Sequence, residues 1–499
     1  MCQIFKIWHI LSENKINIKE PHTELKRELG LFDSTMIVIG SMIGSGIFIV
    51  SSDIARTVGS GGLLLLVWLI TGIITIMGAL SYGELASMMP RAGGQYIYLK
   101  EAYNPLIGFL YGWTLFLVIQ TGTIAAVAVA FSKFTAVLIP WFSSENILIS
   151  IFTVHISASQ LLAIVSILII TYININGLKT GKIVQDIFTS TKVIALGGLI
   201  LLGFLIGSNS EVITENFTNF WKGEWIHFSN GNIEWTQQLS GFSIIAAIGV
   251  AMVGSLFSSD AWNNITFTAG EVKEPKKNIP RSLFFGTLTV TIIYLLANAA
   301  YLSVLPLMGT SGAADPYSAG IQFAAEDRIG TAAAYTIFGA PAEIIMAVLI
   351  MISTFGCNNG LILAGARVYY SMANDKLFFK TAGTLNKNSV PSKALIFQAV
   401  WAGILCLSGT YGQLLDYVIF TVLIFYVLTI TAIIILRKKK PDAERPYKAF
   451  GYPFIPILYI ILAAAISIIL LIYKPQYTWP GLIIVLLGIP VFFLWKRKN

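Results

Sequence analysis

Long apolar runs, separated by short polar and often basic breaks, make up most of this chain. A helix needs roughly 20 mostly apolar residues to cross the hydrocarbon core of a bilayer. Segments that qualify lie at about 31–54, 62–89, 106–139, 157–176, 183–206, 240–269, 282–305, 340–370, 394–408, 414–436, 455–473 and 479–495. The ninth is short enough to be a partial span. The pattern therefore predicts an all-α integral membrane protein with twelve transmembrane helices. A polar N-terminal segment (1–30) precedes a ten-helix core (31–436), and two accessory helices with a short basic tail follow (437–499). The first 30 residues lack the signal-peptide pattern, because no apolar core follows their charges.

Two of the twelve runs are interrupted in the middle. The first contains Ile39-Gly40-Ser41-Met42-Ile43-Gly44-Ser45-Gly46-Ile47-Phe48. A spanning helix normally pairs every backbone amide and carbonyl within itself, since hydrocarbon offers no partner. Glycines and serines at mid-depth allow the helix to open and free those groups. Five helices later the sixth run is interrupted at Gly254-Ser255-Leu256-Phe257-Ser258-Ser259-Asp260-Ala261-Trp262-Asn263-Asn264. An odd spacing makes the two runs cross in opposite directions, so 31–206 and 240–436 read as two inverted halves. Corresponding broken helices in inverted halves point to a secondary transporter with a midplane site. The chemistry of the breaks is that of a zwitterion. Amides at Ser45 and Gly46, opening the second half-helix, favour an anion such as a carboxylate. Carbonyls near Met42 and Ile43, and from Phe257 through Ser258 to Asp260, accept only, and suit an ammonium group.

Composition adds to this picture rather than making it. Of 499 residues 56% are hydrophobic and 12% charged, and the mean hydropathy is +0.75, which excludes an ordinary soluble globular protein. The net charge of +8 is scattered over short loops, as topology and anionic lipid would require, and gives nucleic acid no patch to bind. With the N-terminus in the cytoplasm most lysines and arginines fall inside, including Lys273, Lys276, Lys277, Arg281, Arg437 to Lys440 and Lys496 to Lys498. The C-terminus is then cytoplasmic too, and the expected location is a cell membrane. Cys2, Cys357 and Cys406 are too few for a disulfide framework. The four histidines show no metal-ligand spacing, and neither a phosphate loop nor a nucleophile elbow occurs. No cofactor, no metal and no enzymatic activity are expected.

The interrupted first run resembles the amino acid-polyamine-organocation superfamily when it is read together with Tyr82-Gly83-Glu84-Leu85 and Pro90-Arg91-Ala92-Gly93-Gly94-Gln95-Tyr96. Phe257 to Trp262, Glu271-Val272-Lys273-Glu274-Pro275 and Asn278-Ile279-Pro280-Arg281 are similar to its L-type amino acid transporter branch. So are Val390-Pro391-Ser392 and the stretch from Leu436-Arg437 through Arg445-Pro446. The resemblance implies the five-plus-five inverted-repeat fold of LeuT with discontinuous helices 1 and 6. It also implies sodium-independent exchange of L-amino acids by alternating access; a proton-coupled amino acid or polyamine symporter on the same fold is the alternative.

Resemblance further assigns roles to single residues. Phe257 would cover the substrate as a gate, with Trp262 beside it. Lys192, nearly three turns into the fifth helix, would stand where sodium-coupled relatives bind sodium, bonding the carbonyls freed near Gly44. A lysine at that depth costs about 2.5–3.5 kcal/mol to insert and so needs acceptors. Asp260 departs from many relatives, which have a small residue there; it either caps the restarting half-helix through the Trp262 or Asn263 amide or contacts a cationic side chain. Neutral and cationic substrates both stay open. Glu84 reads as a structural acid paired with a loop base such as Arg91. Arg367 reads as an inner gate closed by Asp186 or Glu271, and Ser353, Thr354, Cys357, Asn358 and Asn359 as a patch able to meet Lys192 or the first helix. Asn216-Phe217-Thr218 fits a glycosylation sequon. Animal members of the branch join a single-span glycoprotein through a cysteine between helices 3 and 4. The stretch from Pro140 to Ile156 has none, so no disulfide-linked heavy subunit is expected.

Overall fold

The computed structural model describes residues 25–151, 154–229, 232–407 and 411–498, so most of the 1–30 segment, with Cys2, lies outside the described residues. Among these, nine helices are long and apolar enough to cross a membrane: α3 (Gly61–Met88), α4 (Pro105–Leu138), α5 (Ala158–Ile175), α6 (Leu178–Gly207), α9 (Pro275–Val304), α10 (Pro341–Asn374), α12 (counted from Val418 to Lys439), α13 (Phe454–Tyr473) and α14 (counted from Pro475 to Lys496). Shorter apolar helices join them: α1 (Leu31–Met42), α7 (Phe242–Ser258), α11 (Ser392–Cys406) and a ten-residue helix at Ile329–Phe338. Two pieces, α2 (Val50–Val58) and α8 (Asn264–Phe267), continue α1 and α7 beyond a break. The fold is that of a multi-pass helical membrane protein.

Each helix is positioned by which stripe it hides. On α6 a buried stripe runs through Leu178, Gly181, Gln185, Thr189, Lys192, Leu196, Leu199 and Gly203, three or four apart, with Ile200 buried beside it, while Ile187, Ile194, Leu201 and Leu205 face outward. That is one helical face turned inward and one apolar face left for lipid. Lys192 thus sits on the inward stripe. The run begins at Leu178 rather than near 183, because Lys179 and Lys182 occupy its polar first turn. Small residues set the closest approaches, as they do between membrane helices. A side chain on Gly40 would strike Gln185 and Thr189 of α6, and one on Gly286 of α9 would strike Val38 of α1.

Two antiparallel hairpins were not apparent from hydropathy. The first pairs β1 (Ile147–Ile151) with β2 (Val154–Ser157), and the second pairs β3 (Glu224–Ser229) with β4 (Asn232–Gln238). Both lie at the end of the bundle away from the basic loops. There a cavity of about 1180 Å3 opens between α2, α4 and α7, floored by Ile49, Val50, Val253 and Gly254. At the basic end the chain is packed shut, with Glu28 and Leu29 bonded through their amides to the Glu271 carbonyl.

Candidate functional site

The α1–α2 break is an accounting problem in backbone carbonyls. A helix end leaves its last four carbonyls without intrahelical partners. After Met42 the chain turns extended at Ile43, makes a single 3-10 turn at Gly46–Phe48 and resumes as α2. Five successive carbonyls at this end meet side chains from three other helices. Lys192 Nζ lies 2.6 Å from the Gly40 carbonyl and 2.5 Å from that of Ile43. Cys357 Sγ donates to Ser41 at 3.1 Å, and Ser353 Oγ to Gly44 at 3.0 Å. The Tyr294 hydroxyl of α9 sits 3.1 Å from the Met42 carbonyl and 3.0 Å from that of Ser258, so it spans the ends of α1 and α7. Lys192 is 1% exposed, and an ammonium at a helix C-terminus is also favoured by the dipole.

The α7–α8 break runs from Ser259 to Asn263, with Ala261 in the left-handed region at φ 63°. A non-glycine residue there costs on the order of 1–3 kcal/mol and persists only where its surroundings hold it. They do: Trp262 is 2% exposed and packs edge-on against Tyr82, ring centroids 4.7 Å apart. Asp260 takes a partner that neither sequence reading named, the Tyr426 hydroxyl of α12 at 2.5 Å. Two small cavities, about 20 and 10 Å3, flank this pair, and Asp260 and Tyr426 line both. The two breaks touch. Ser258 packs on Gly46 so closely that a methyl group at 46 would collide with it, and Ser258 Oγ itself donates to Gly254 at 2.8 Å. Phe257 is buried one residue before this contact and Ser45 one residue before Gly46.

Two buried acids at the basic end, Glu271 and Glu84, each gather arginine. Arg367 pairs with Glu271 through two bonds of 3.0 and 2.9 Å, both side chains 1% exposed, and also donates to the Leu363 carbonyl. Of the two acids considered for Arg367, Glu271 is therefore the partner and Asp186 is not. Glu84 corrects the sequence reading. Its partners are Arg437 at 2.9 and 2.6 Å, Arg445 at 3.3 Å and the Ala449 amide at 2.7 Å, not Arg91. A buried carboxylate needs several donors, and the last turn of α12 supplies Arg437 while the segment after it supplies Arg445 and the Ala449 amide, where the nearby loop supplies none. The α10 patch divides. Ser353 and Cys357 reach α1, whereas Thr354 bonds within its helix, Asn358 donates to Ile124, and Asn359 to Gly181 and Gln185. The sequon is also corrected: Asn216 is buried, donating to Leu302 and Leu305 and accepting from the Leu307 amide, so its amide holds a turn.

Tyr294 and Tyr426 are the site residues that sequence reasoning missed. Their hydroxyls did not single them out in the sequence, since Tyr82, Tyr98 and Tyr369 are buried tyrosines too.

The description amino acid permease attaches to a family profile that matches residues 29–493. The chain is 31% identical over 478 residues to the large neutral amino acids transporter small subunit 2 of Homo sapiens, covering 95% of this chain and 82% of that one. It is 31% identical over 484 residues to the serine/threonine exchanger SteT of Bacillus subtilis, covering 96% and 99%. To the human b(0,+)-type amino acid transporter 1 it is 28% identical over 498 residues, covering 97% and 91%. The chain belongs to the amino acid permease family, within the amino acid-polyamine-organocation superfamily, and is a membrane transporter rather than an enzyme.

Proposed function

We propose that this protein exchanges L-amino acids across a cell membrane by alternating access, without sodium. Twelve spans arranged as two inverted five-helix halves, with both termini in the cytoplasm, would place the α1–α2 and α7–α8 breaks together at mid-depth. The substrate carboxylate then lies on the amides at Ser45 and Gly46. Its ammonium group lies among the carbonyls of Met42, Ile43, Phe257, Ser258 and Asp260, under Phe257. The observation that carries this reading is the satisfied end of α1. The Lys192 side chain takes a lone pair of the Gly40 and Ile43 carbonyls, where a sodium ion would otherwise find its ligands, and this supports a sodium-independent cycle.

The relatives' names cover neutral amino acids, serine and threonine, and both neutral and cationic classes, so they support amino acids as the substrate. Exchange follows if the empty carrier reorients poorly because substrate is needed to bridge the two breaks. The test is uptake of radiolabelled amino acids into proteoliposomes, either loaded with unlabelled amino acid or empty, in sodium or choline. Saturable uptake confined to loaded vesicles and indifferent to the cation is the expected result. Strict sodium dependence would sink the role given to Lys192. Uptake into empty vesicles driven by acid outside would make the protein a proton symporter.

A further inference from the structure

Above the substrate region the cavity is bordered by α2 on one side and α4 on another, and a single loop joins them. That loop, Ala324–Arg328, carries two adjacent acids, Glu326 and Asp327, both with left-handed backbone at φ 51° and 60°. Non-glycine residues rarely adopt this conformation singly, and two in succession demand restraint from outside the loop. The restraint comes from two different helices. Lys133 of α4 donates to the Glu326 carbonyl at 2.8 Å and lies 3.5 Å from its carboxylate. Arg56 of α2 donates to Asp327 at 2.7 Å and to the Gln322 carbonyl at 2.6 Å, and Gln322 returns a bond to the Ala55 carbonyl. Arg56 is 7% exposed and stacks over Phe228 of β3, and its partner Asp327 is only partly open to water, whereas Glu326 is more than half open. The Arg56 arm is thus built into the fold, and the Lys133 arm is the weaker one.

We propose that Glu326 and Asp327 form a double latch that fixes the separation of α2 from α4 while the cavity is open, with the Lys133–Glu326 arm releasing when the cavity closes. The geometry forces a choice. Adjacent residues gripping two helices cannot keep both grips if the helices change their spacing, and the exposed arm yields first. The latch belongs to the alternating-access reading above, but it is tested without transport.

The experiment uses the purified full-length protein in lipid nanodiscs, where both faces are accessible. Cys2 is replaced by Ser, and a single reporter, Val250→Cys, is placed in the cavity wall. The rate of labelling by a membrane-impermeant methanethiosulfonate reads how long the cavity stays open. Glu326→Gln and Lys133→Gln are expected to slow labelling about two- to fivefold, the range an exposed ion pair commands. The swap Lys133→Glu with Glu326→Lys restores the ion pair but not the bond to the carbonyl of residue 326, and should recover part of the parental rate. Arg328→Gln removes a residue 3.5 Å from the same carboxylate that does not reach α4, and should label as the parent does. Raising salt should slow the parent more than Glu326→Gln, in which only the less exposed Arg56–Asp327 pair is left to screen. Parental rates in both single variants, or a swap as slow as they are, would overturn the latch. Amino acid exchange measured in parallel on the same proteins judges the transport reading separately.

Discussion

Lys192 and Asp260 are the two buried charges whose surroundings differ most. Lys192 meets only carbonyl oxygens, so replacing it by methionine keeps the bulk and strands the acceptors at Gly40 and Ile43. Leaving a buried acceptor of this kind unbonded costs about 1–3 kcal/mol. The expected result for Lys192→Met is exchange reduced by at least about tenfold, with thermal stability of the purified protein lowered too. Unchanged exchange would remove the lysine from the mechanism. Asp260 instead shares its carboxylate with the Tyr426 hydroxyl and faces two small cavities. Asp260→Asn keeps an acceptor for that hydroxyl and deletes the charge. If the carboxylate reads substrate, lysine and arginine should lose competition by about ten- to a hundredfold, the scale of a charge-assisted bond, while serine and leucine keep theirs. Equal effects on all competitors would leave Asp260 as a brace for the break.

The broken helices are the element on which transport depends, and they respond to bulk as well as charge. Gly46 faces Ser258 across the contact between the breaks. A methyl group there must push α1–α2 from α7–α8, and overpacking of this kind costs about 1–3 kcal/mol. Gly46→Ala should therefore depress exchange strongly, and Gly46→Ala with Ser258→Gly should recover part of it by making room. Failure of the second change to help would place the defect in the backbone rather than the contact. The interruptions themselves were legible in the sequence, because Gly40, Gly44, Gly46 and Ser45 contradict the apolar run around them. What closes the interruptions was legible only in part. A lysine at the depth of Lys192 announces a need for acceptors. Tyr294 and Tyr426 announce nothing, since a tyrosine in a spanning run looks like any packing aromatic until helices far apart in the chain meet. Glu84 failed for the same reason. Arg91 is near in sequence, but Arg437 and Arg445 are near in space. The hairpins β1–β2 and β3–β4 escaped because their alternation is short and lies between longer helical signals.

Across the whole molecule the basic end holds a fully buried ion pair beside its exposed ones, and this pair bears on how the molecule changes state. At the cavity end the ion pairs are partly solvated, and each commands about 1 kcal/mol or less. At the basic end Arg367 and Glu271 are sealed from water, with the amides of Glu28 and Leu29 bonded to the Glu271 carbonyl above them. Breaking a buried pair by removing one partner costs about 3–5 kcal/mol, because the other charge is stranded. Opening the basic end in the native protein must therefore separate this pair and hydrate both groups together. Glu271→Gln keeps the shape and one acceptor but takes away the negative charge that neutralises Arg367. The arginine is then driven toward water, and the basic end should open more often. With a reporter cysteine placed beside this pair at Ala366, and Cys2, Cys357 and Cys406 replaced, impermeant thiol reagents should label Glu271→Gln faster than the parent by about tenfold or more in nanodiscs. The cavity reporter on α7 should slow in the same variant, since one carrier cannot favour both openings at once. If both reporters speed up together, the variant has loosened the fold and the two ends are not reciprocal.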